Sequence, residues 1–144
     1  MRTVYLSDAH LSVAPGGRDT MDAFVAFLRR LDPADVARVV VLGDLFDFWF
    51  EYKHVVFSGY FDVLRAFADL RDAGVELHFV CGNHDFWAGR FLETQIGFTV
   101  HLEPVTLEID GRRVHLAHGD GINPDDWRYR AYKRVARWGG AVRL

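Results

Sequence analysis

Apolar positions recur along this chain with two different periods, and the switches between them outline its elements. Thr3-Val-Tyr-Leu-Ser7, a short and mostly apolar run, predicts a first strand. Gly16-Gly17 make a loop, and Asp19 stands where a helix cap is expected. Met21, Phe24, Val25, Leu28 and Leu31 follow at i, i+3, i+4, i+7 and i+10, one face of a helix that Asp32-Pro33 would end. Val39-Val-Val-Leu42 is apolar without alternation and bounded by Gly43, so it predicts a strand buried on both faces. Tyr60, Val63, Leu64, Phe67 and Leu70 trace a second helical face stopped at Gly74, and Leu77-His-Phe-Val-Cys81 predicts a third strand closed by Gly82. The order strand, helix, strand, helix, strand implies an α/β fold with a parallel sheet and right-handed crossovers.

The period then changes. Residues 105–110 and 112–117 alternate about Asp110-Gly111, a strong hairpin signal. After Gly119 and Gly121, Asn123-Pro124-Asp125-Asp126 reads as an N-cap, a proline at the first helical position and two acids in the first turn. The helix they open is expected to run to about Trp138. Nothing repeats and no linker divides the 144 residues, so one domain is expected over 1–144.

Charge changes the picture in one respect. The net charge is −3, yet residues 1–126 carry all 20 acids and a net of −9, while residues 127–144 carry six bases and a net of +6. An acidic body argues against nucleic acid as a partner, because a nucleic-acid binder needs a broad basic surface. The basic tail suits phosphate or anionic lipid, or is simply a solvated helix face. The single cysteine, Cys81, excludes an internal disulfide and fits a reducing compartment. No run approaches the ~18 apolar residues of a membrane span, and no apolar signal core fits between Arg2 and Asp8. A cytoplasmic protein is expected.

The polar residues that follow each strand carry the chemistry. Strand one runs into Asp8-Ala-His10, strand two into Gly43-Asp44-Leu-Phe-Asp47, and strand three into Gly82-Asn83-His84-Asp85. The second hairpin strand runs into His118-Gly119-Asp120. In a parallel α/β sheet the carboxyl ends of the strands share one edge, where sites form. Each residue alone reads as an ordinary turn former. Together they deliver carboxylate, imidazole and amide ligands to one place, a set that suits Mn, Fe or Zn and offers no thiolate. A pair of divalent ions ~3.5–4 Å apart, bridged by a carboxylate, is the arrangement phosphatases use.

Asp8-x-His10, Gly43-Asp44-x-x-Asp47, Gly82-Asn83-His84-Asp85 and His118-Gly119 resemble, in order, the blocks of the calcineurin-like metallophosphoesterases. Three longer runs narrow the resemblance: Gly43-Asp-Leu-Phe-Asp-Phe-Trp-Phe-Glu-Tyr-Lys53, Gly82-Asn-His-Asp-Phe-Trp87 and Ala117-His-Gly-Asp-Gly121. They are similar to the UDP-2,3-diacylglucosamine pyrophosphatases of lipid A synthesis, over residues 1 to about 138. The resemblance implies an αββα sandwich of two sheets, with the hairpin in the second. It implies Asp8 and His10 as ligands of a first metal, Asp44 bridging both, and Asn83 and His118 holding a second, with Mn²⁺ the expected ion. It also implies that His84 is not a ligand but faces the scissile phosphate, stabilising charge or protonating the leaving oxygen, oriented by the Asp47 carboxylate. The implied reaction is hydrolysis of the lipid-nucleotide substrate to UMP and 2,3-diacylglucosamine 1-phosphate. The alternatives are another phosphodiester or phosphomonoester, or a shortened and impaired remnant.

One block of the family pattern, a later Gly-His-x-His, has no counterpart before Leu144, so a truncated domain is expected. His115, three residues before His118 in a strand, should face away from it. His54, His78 and His101 read as half-buried or surface histidines. The aromatics at Phe46, Phe48, Trp49, Phe50, Tyr52, Phe86, Trp87 and Phe91 divide between core packing and an apolar wall for acyl chains. Arg128, Arg130, Lys133, Arg134 and Arg137 suit contact with substrate phosphates or peripheral contact with the cytoplasmic face of the inner membrane.

Overall fold

In the computed structural model, residues 1–52 and 54–120 are described. Two sheets and two principal helices appear, in the order β1 (Arg2–Leu6), α1 (Arg18–Arg29), β2 (Val36–Leu42), α2 (Phe61–Asp72), β3 (Glu76–Val80), β4 (Thr99–His101), β5 (Val105–Ile109) and β6 (Arg112–Leu116). The first sheet has the order β1-β2-β3-β4 and is parallel throughout, with Val4 beside Val39, Val39 beside Leu77 and Phe79 beside Val100. The second is the antiparallel pair β5-β6. Both Asp110 and Gly111 have positive φ, 51° and 73°, as a two-residue turn matched to strand twist requires.

Alternation along β2 and β3 explains the layering. Val39, Val41, Leu77 and Phe79 face the helices and join the main core with Met21, Val25, Leu28, Val63, Phe67 and Leu70. Val40 and Val80 face the other way, against Leu116 and the partly buried Val105, Leu107 and Val114. Helices on one face of the parallel sheet and β5-β6 on the other give three layers of the expected sandwich. The helix expected after Asn123 and the basic residues on it lie outside the described residues.

Two local expectations are corrected, and one strand is added. Gly17, not Asp19, stands at the cap of α1, and Asp19 lies in the first turn, where its charge complements the helix N-terminus. His78 is buried rather than half-buried or at the surface. Its Nε2 lies 2.8 Å from Glu76, and its Nδ1 lies 3.1 Å from Nε2 of the half-buried His101. Strand β4 has no signal of its own in the sequence: three residues at the edge of the sheet are too few to show a period. No helix among the described residues is long and apolar enough to cross a membrane.

Candidate metal centre

Four chain segments meet at the carboxyl edge of the sheet, held together by backbone bonds. Asp8 N–H donates to the Gly43 carbonyl at 3.2 Å, and His10 N–H donates to that of Asp44 at 3.0 Å. Leu11 N–H reaches Leu45 at 2.9 Å, and Asp47 N–H returns to Leu11 at 2.9 Å. The loops after β1 and β2 therefore run on as a short extension of the sheet. His118, just past β6, joins them by hydrogen bonding through Nδ1 to the Leu42 carbonyl at 2.7 Å.

The backbone here is under strain. Asp8, His10 and Asp44 adopt φ of 52°, 43° and 51°, a region that non-glycine residues enter at a cost of about 1–3 kcal/mol each. The glycines beside them are required by proximity. A Cβ on Gly43 would lie 2.7 Å from both Gly82 Cα and His118 Nδ1. One on Gly82 would run into the Asp44 carboxylate and stand 2.6 Å from the Asp44 nitrogen. The ends of β2 and β3 thus come as close as two chains can.

The side chains converge on Asp44, which is 3% exposed. Its Oδ2 lies 3.4 Å from His118 Nε2 and 3.8 Å from His10 Nε2, and its Oδ1 accepts the His84 N–H at 3.0 Å. His118 Nε2 is also 3.3 Å from Asn83 Oδ1. Because Nδ1 of His118 is engaged by a carbonyl, its proton sits there, and the Nε2 lone pair is turned toward Asp44 and Asn83. That is the arrangement by which an imidazole is held for a metal. Ser7 Oγ donates to Asp8 Oδ2, orienting that carboxylate in turn.

Among the described residues, two clusters have ligand atoms mutually within 4.8 Å: Asp8, Asp44 and His118, and His10, Asp47 and His84. The donor set fits divalent cations, with oxygen and imidazole nitrogen at one edge and no thiolate. The first cluster gathers around Asp44 ligands expected for both cations, and the second sets His10 beside His84, ring centroids 4.8 Å apart. The orientation of His84 differs from expectation. Its Nδ1 lies 2.6 Å from the Asp47 main-chain carbonyl and 3.9 Å from the carboxylate, so the carbonyl fixes the ring. The two segments lie side by side here, with the Trp49 N–H donating to the His84 carbonyl at 3.1 Å.

Two residues with no role assigned from sequence hold the loops. Asp85 is fully buried and accepts N–H bonds from Leu45 and Gly82, each at 2.8 Å. Burial pushes its carboxyl above the ordinary aspartate range, against the pull of those amide bonds. Glu51 accepts from the amides of Gly89 and Phe91 at 2.8 Å and of Leu92 at 3.3 Å, fixing the segment beyond Trp87. Of these aromatics, Phe46, Trp49 and Phe86 are buried, while Phe48 and Tyr52 are exposed. His115 is exposed and bonds Thr106, away from the centre.

A family model for the calcineurin-like phosphoesterase superfamily domain matches residues 1–137. The chain belongs to the calcineurin-like phosphoesterase superfamily. It is 38% identical over 136 residues to a UDP-2,3-diacylglucosamine hydrolase of Porphyromonas gingivalis, covering 90% of this chain and 48% of that protein. Proteins of the same name from Vibrio atlanticus and Aeromonas salmonicida are 34% and 37% identical, over 92% and 95% of this chain and 53% and 52% of theirs. The chain thus spans about half the length of the curated relatives it matches. The crystal structure of a protein of unknown function from Aquifex aeolicus superposes with a TM-score of 0.52 at 21% identity, over 94% of this chain and 69% of that one, a likeness of fold.

Proposed function

We propose that this chain carries the metal-binding edge of a hydrolase that cleaves the pyrophosphate of UDP-2,3-diacylglucosamine to UMP and 2,3-diacylglucosamine 1-phosphate. The observation that carries the reading is the buried Asp44 carboxylate, with His118, His10 and Asn83 gathered around it. The lipid-nucleotide substrate is supported by the three relatives that bear that name. In this reading Asp8, His10 and Asp44 hold one cation, and Asp44, Asn83 and His118 hold another, with Mn²⁺ the expected ion. Bound there, two cations would supply charge neutralisation at the phosphoryl oxygens.

His84 does the work the ligands do not. With its Nδ1 proton donated to the Asp47 carbonyl, Nε2 is the nitrogen left for substrate. An imidazole 39% exposed at the rim of the centre can stabilise charge on the phosphate or carry a proton to the leaving oxygen. The exposed Phe48, next along the chain from Asp47, and the exposed Tyr52 offer apolar surface to acyl chains. Docking on the cytoplasmic face of the inner membrane belongs to the same reading.

Incubating the chain with Mn²⁺ and UDP-2,3-diacylglucosamine, and separately with a chromogenic phosphodiester, tests it. Metal-dependent release of UMP is the expected result. Turnover of the chromogenic diester alone would replace the lipid substrate with a simpler ester, and failure to take up Mn²⁺ would overturn the metal reading itself.

A further inference from the structure

We infer that Asp85 is a positioning residue for this centre, clamping the loop that carries Asp44 to the loop that carries Asn83 and His84. The inference rests on the metal-site reading above. The two oxygens of Asp85 are spent on two different loops. Oδ2 accepts the N–H of Leu45, the residue after Asp44, at 2.8 Å, and Oδ1 accepts the N–H of Gly82, the residue before Asn83, at 2.8 Å. The clamp is reciprocal, because Asp44 Oδ1 accepts the His84 N–H from the opposite loop at 3.0 Å. Each loop lends a carboxylate to the backbone of the other.

Asp85 is fully buried with both oxygens taken by amides, so it acts through its neighbours rather than as a ligand. As a device for stability alone it is a poor choice. Burying a carboxylate against two neutral amides is costly, and an apolar side chain of similar size would fill the space more cheaply. What an apolar side chain cannot do is fix two backbone amides at one separation. That separation matters here because a single carbon added at Gly82 would already strike Asp44. An amide side chain cannot replace the carboxylate either. The Asp85→Asn change would keep one acceptor and turn an NH₂ toward the other loop's N–H.

The test separates positioning from general stability. Mn²⁺ affinity is read from the free-ion paramagnetic resonance signal, well below the melting temperature of each protein, and the melting temperature is recorded without metal. Asp85→Asn should bind Mn²⁺ about 10–100-fold more weakly than the parent, as loss of a group that orients metal ligands does. Leu28→Ala, a fully buried change on the far side of the core, should lower the melting temperature at least as much and leave affinity unchanged. Affinity equal to the parent's in Asp85→Asn, or an equal loss in Leu28→Ala, would overturn the inference while leaving the metal reading in place. A parent that binds no Mn²⁺ would overturn both. The parent also supplies a check that needs no variant: the Leu45 and Gly82 amides should exchange slowly and gain protection together on adding Zn²⁺. Exchange at the rate of open-loop amides would contradict the clamp.

Discussion

At the tip of the β5-β6 hairpin, Asp110 takes φ 51° beside Gly111 at 73°, and a Cβ added to that glycine would meet nothing within 4 Å. At the sheet edge, Asp8, His10 and Asp44 take nearly the same φ, but a Cβ on Gly43 or Gly82 would strike the opposite loop or the Asp44 side chain. The hairpin strain is the ordinary cost of a tight turn, kept low by an aspartate that tolerates this conformation. The edge strain serves no turn of that kind. There, two aspartates and a histidine, all with ligand chemistry, take that conformation where the chain is packed against a second loop. The difference marks the edge as a place where side-chain identity outweighs backbone comfort, which is the usual signature of a functional site.

Four changes would break or sharpen that contrast. Gly82→Ala should have the largest effect, because its methyl group collides with Asp44. A loss of about 3 kcal/mol, the upper end for overpacking, should accompany loss of metal binding, read by melting and by metal titration. His84→Ala should leave metal uptake nearly intact and lower hydrolysis by ~10²–10⁴-fold, since it removes a proton or charge donor and no ligand. Loss of metal with His84→Ala would instead assign the ring to the His10, Asp47 and His84 cluster. Gly111→Ala, made at φ 73° in open space, should cost only about 1–2 kcal/mol of strain and leave metal binding untouched. Glu76→Gln should be the mildest. Burial pushes the Glu76 carboxyl up, but hydrogen bonds from His78 and Arg38 outweigh it and hold the group below its ordinary value of 4.5. Its contribution is therefore present above that value and lost as pH falls through the lower folded one. The variant should flatten the acid limb of a pH–stability curve there, with no change at neutral pH in metal uptake.

The same contrast explains what could be read from the sequence. Strands β1 to β3 were legible as short apolar runs closed by turn signals, both helices by their periodic apolar face, and the hairpin because Asp110-Gly111 has the chemistry its turn demands. Strand β4 was not, since its place depends on pairing with β3 rather than on any pattern in Thr99–His101. The residues now found at the edge were legible as polar groups placed after strand-closing glycines. Their internal arrangement was not. That His84 leans on the Asp47 carbonyl, and that Asp85 spans two loops, depends on main-chain positions that no spacing of side chains encodes. The burial of His78 was hidden for a related reason: it stands beside His101 of β4, a strand with no pattern of its own.

Metal counted per chain by elemental analysis, after loading with Mn²⁺ and removal of free ion, tests the central claim most directly when Asp44→Ala is set beside Asp8→Ala. A carboxylate shared between two ions should be the harder loss. The parent is expected to retain two ions, Asp8→Ala about one, and Asp44→Ala neither, as a bridging ligand requires. Two ions retained in Asp44→Ala, or none in the parent, would contradict the account.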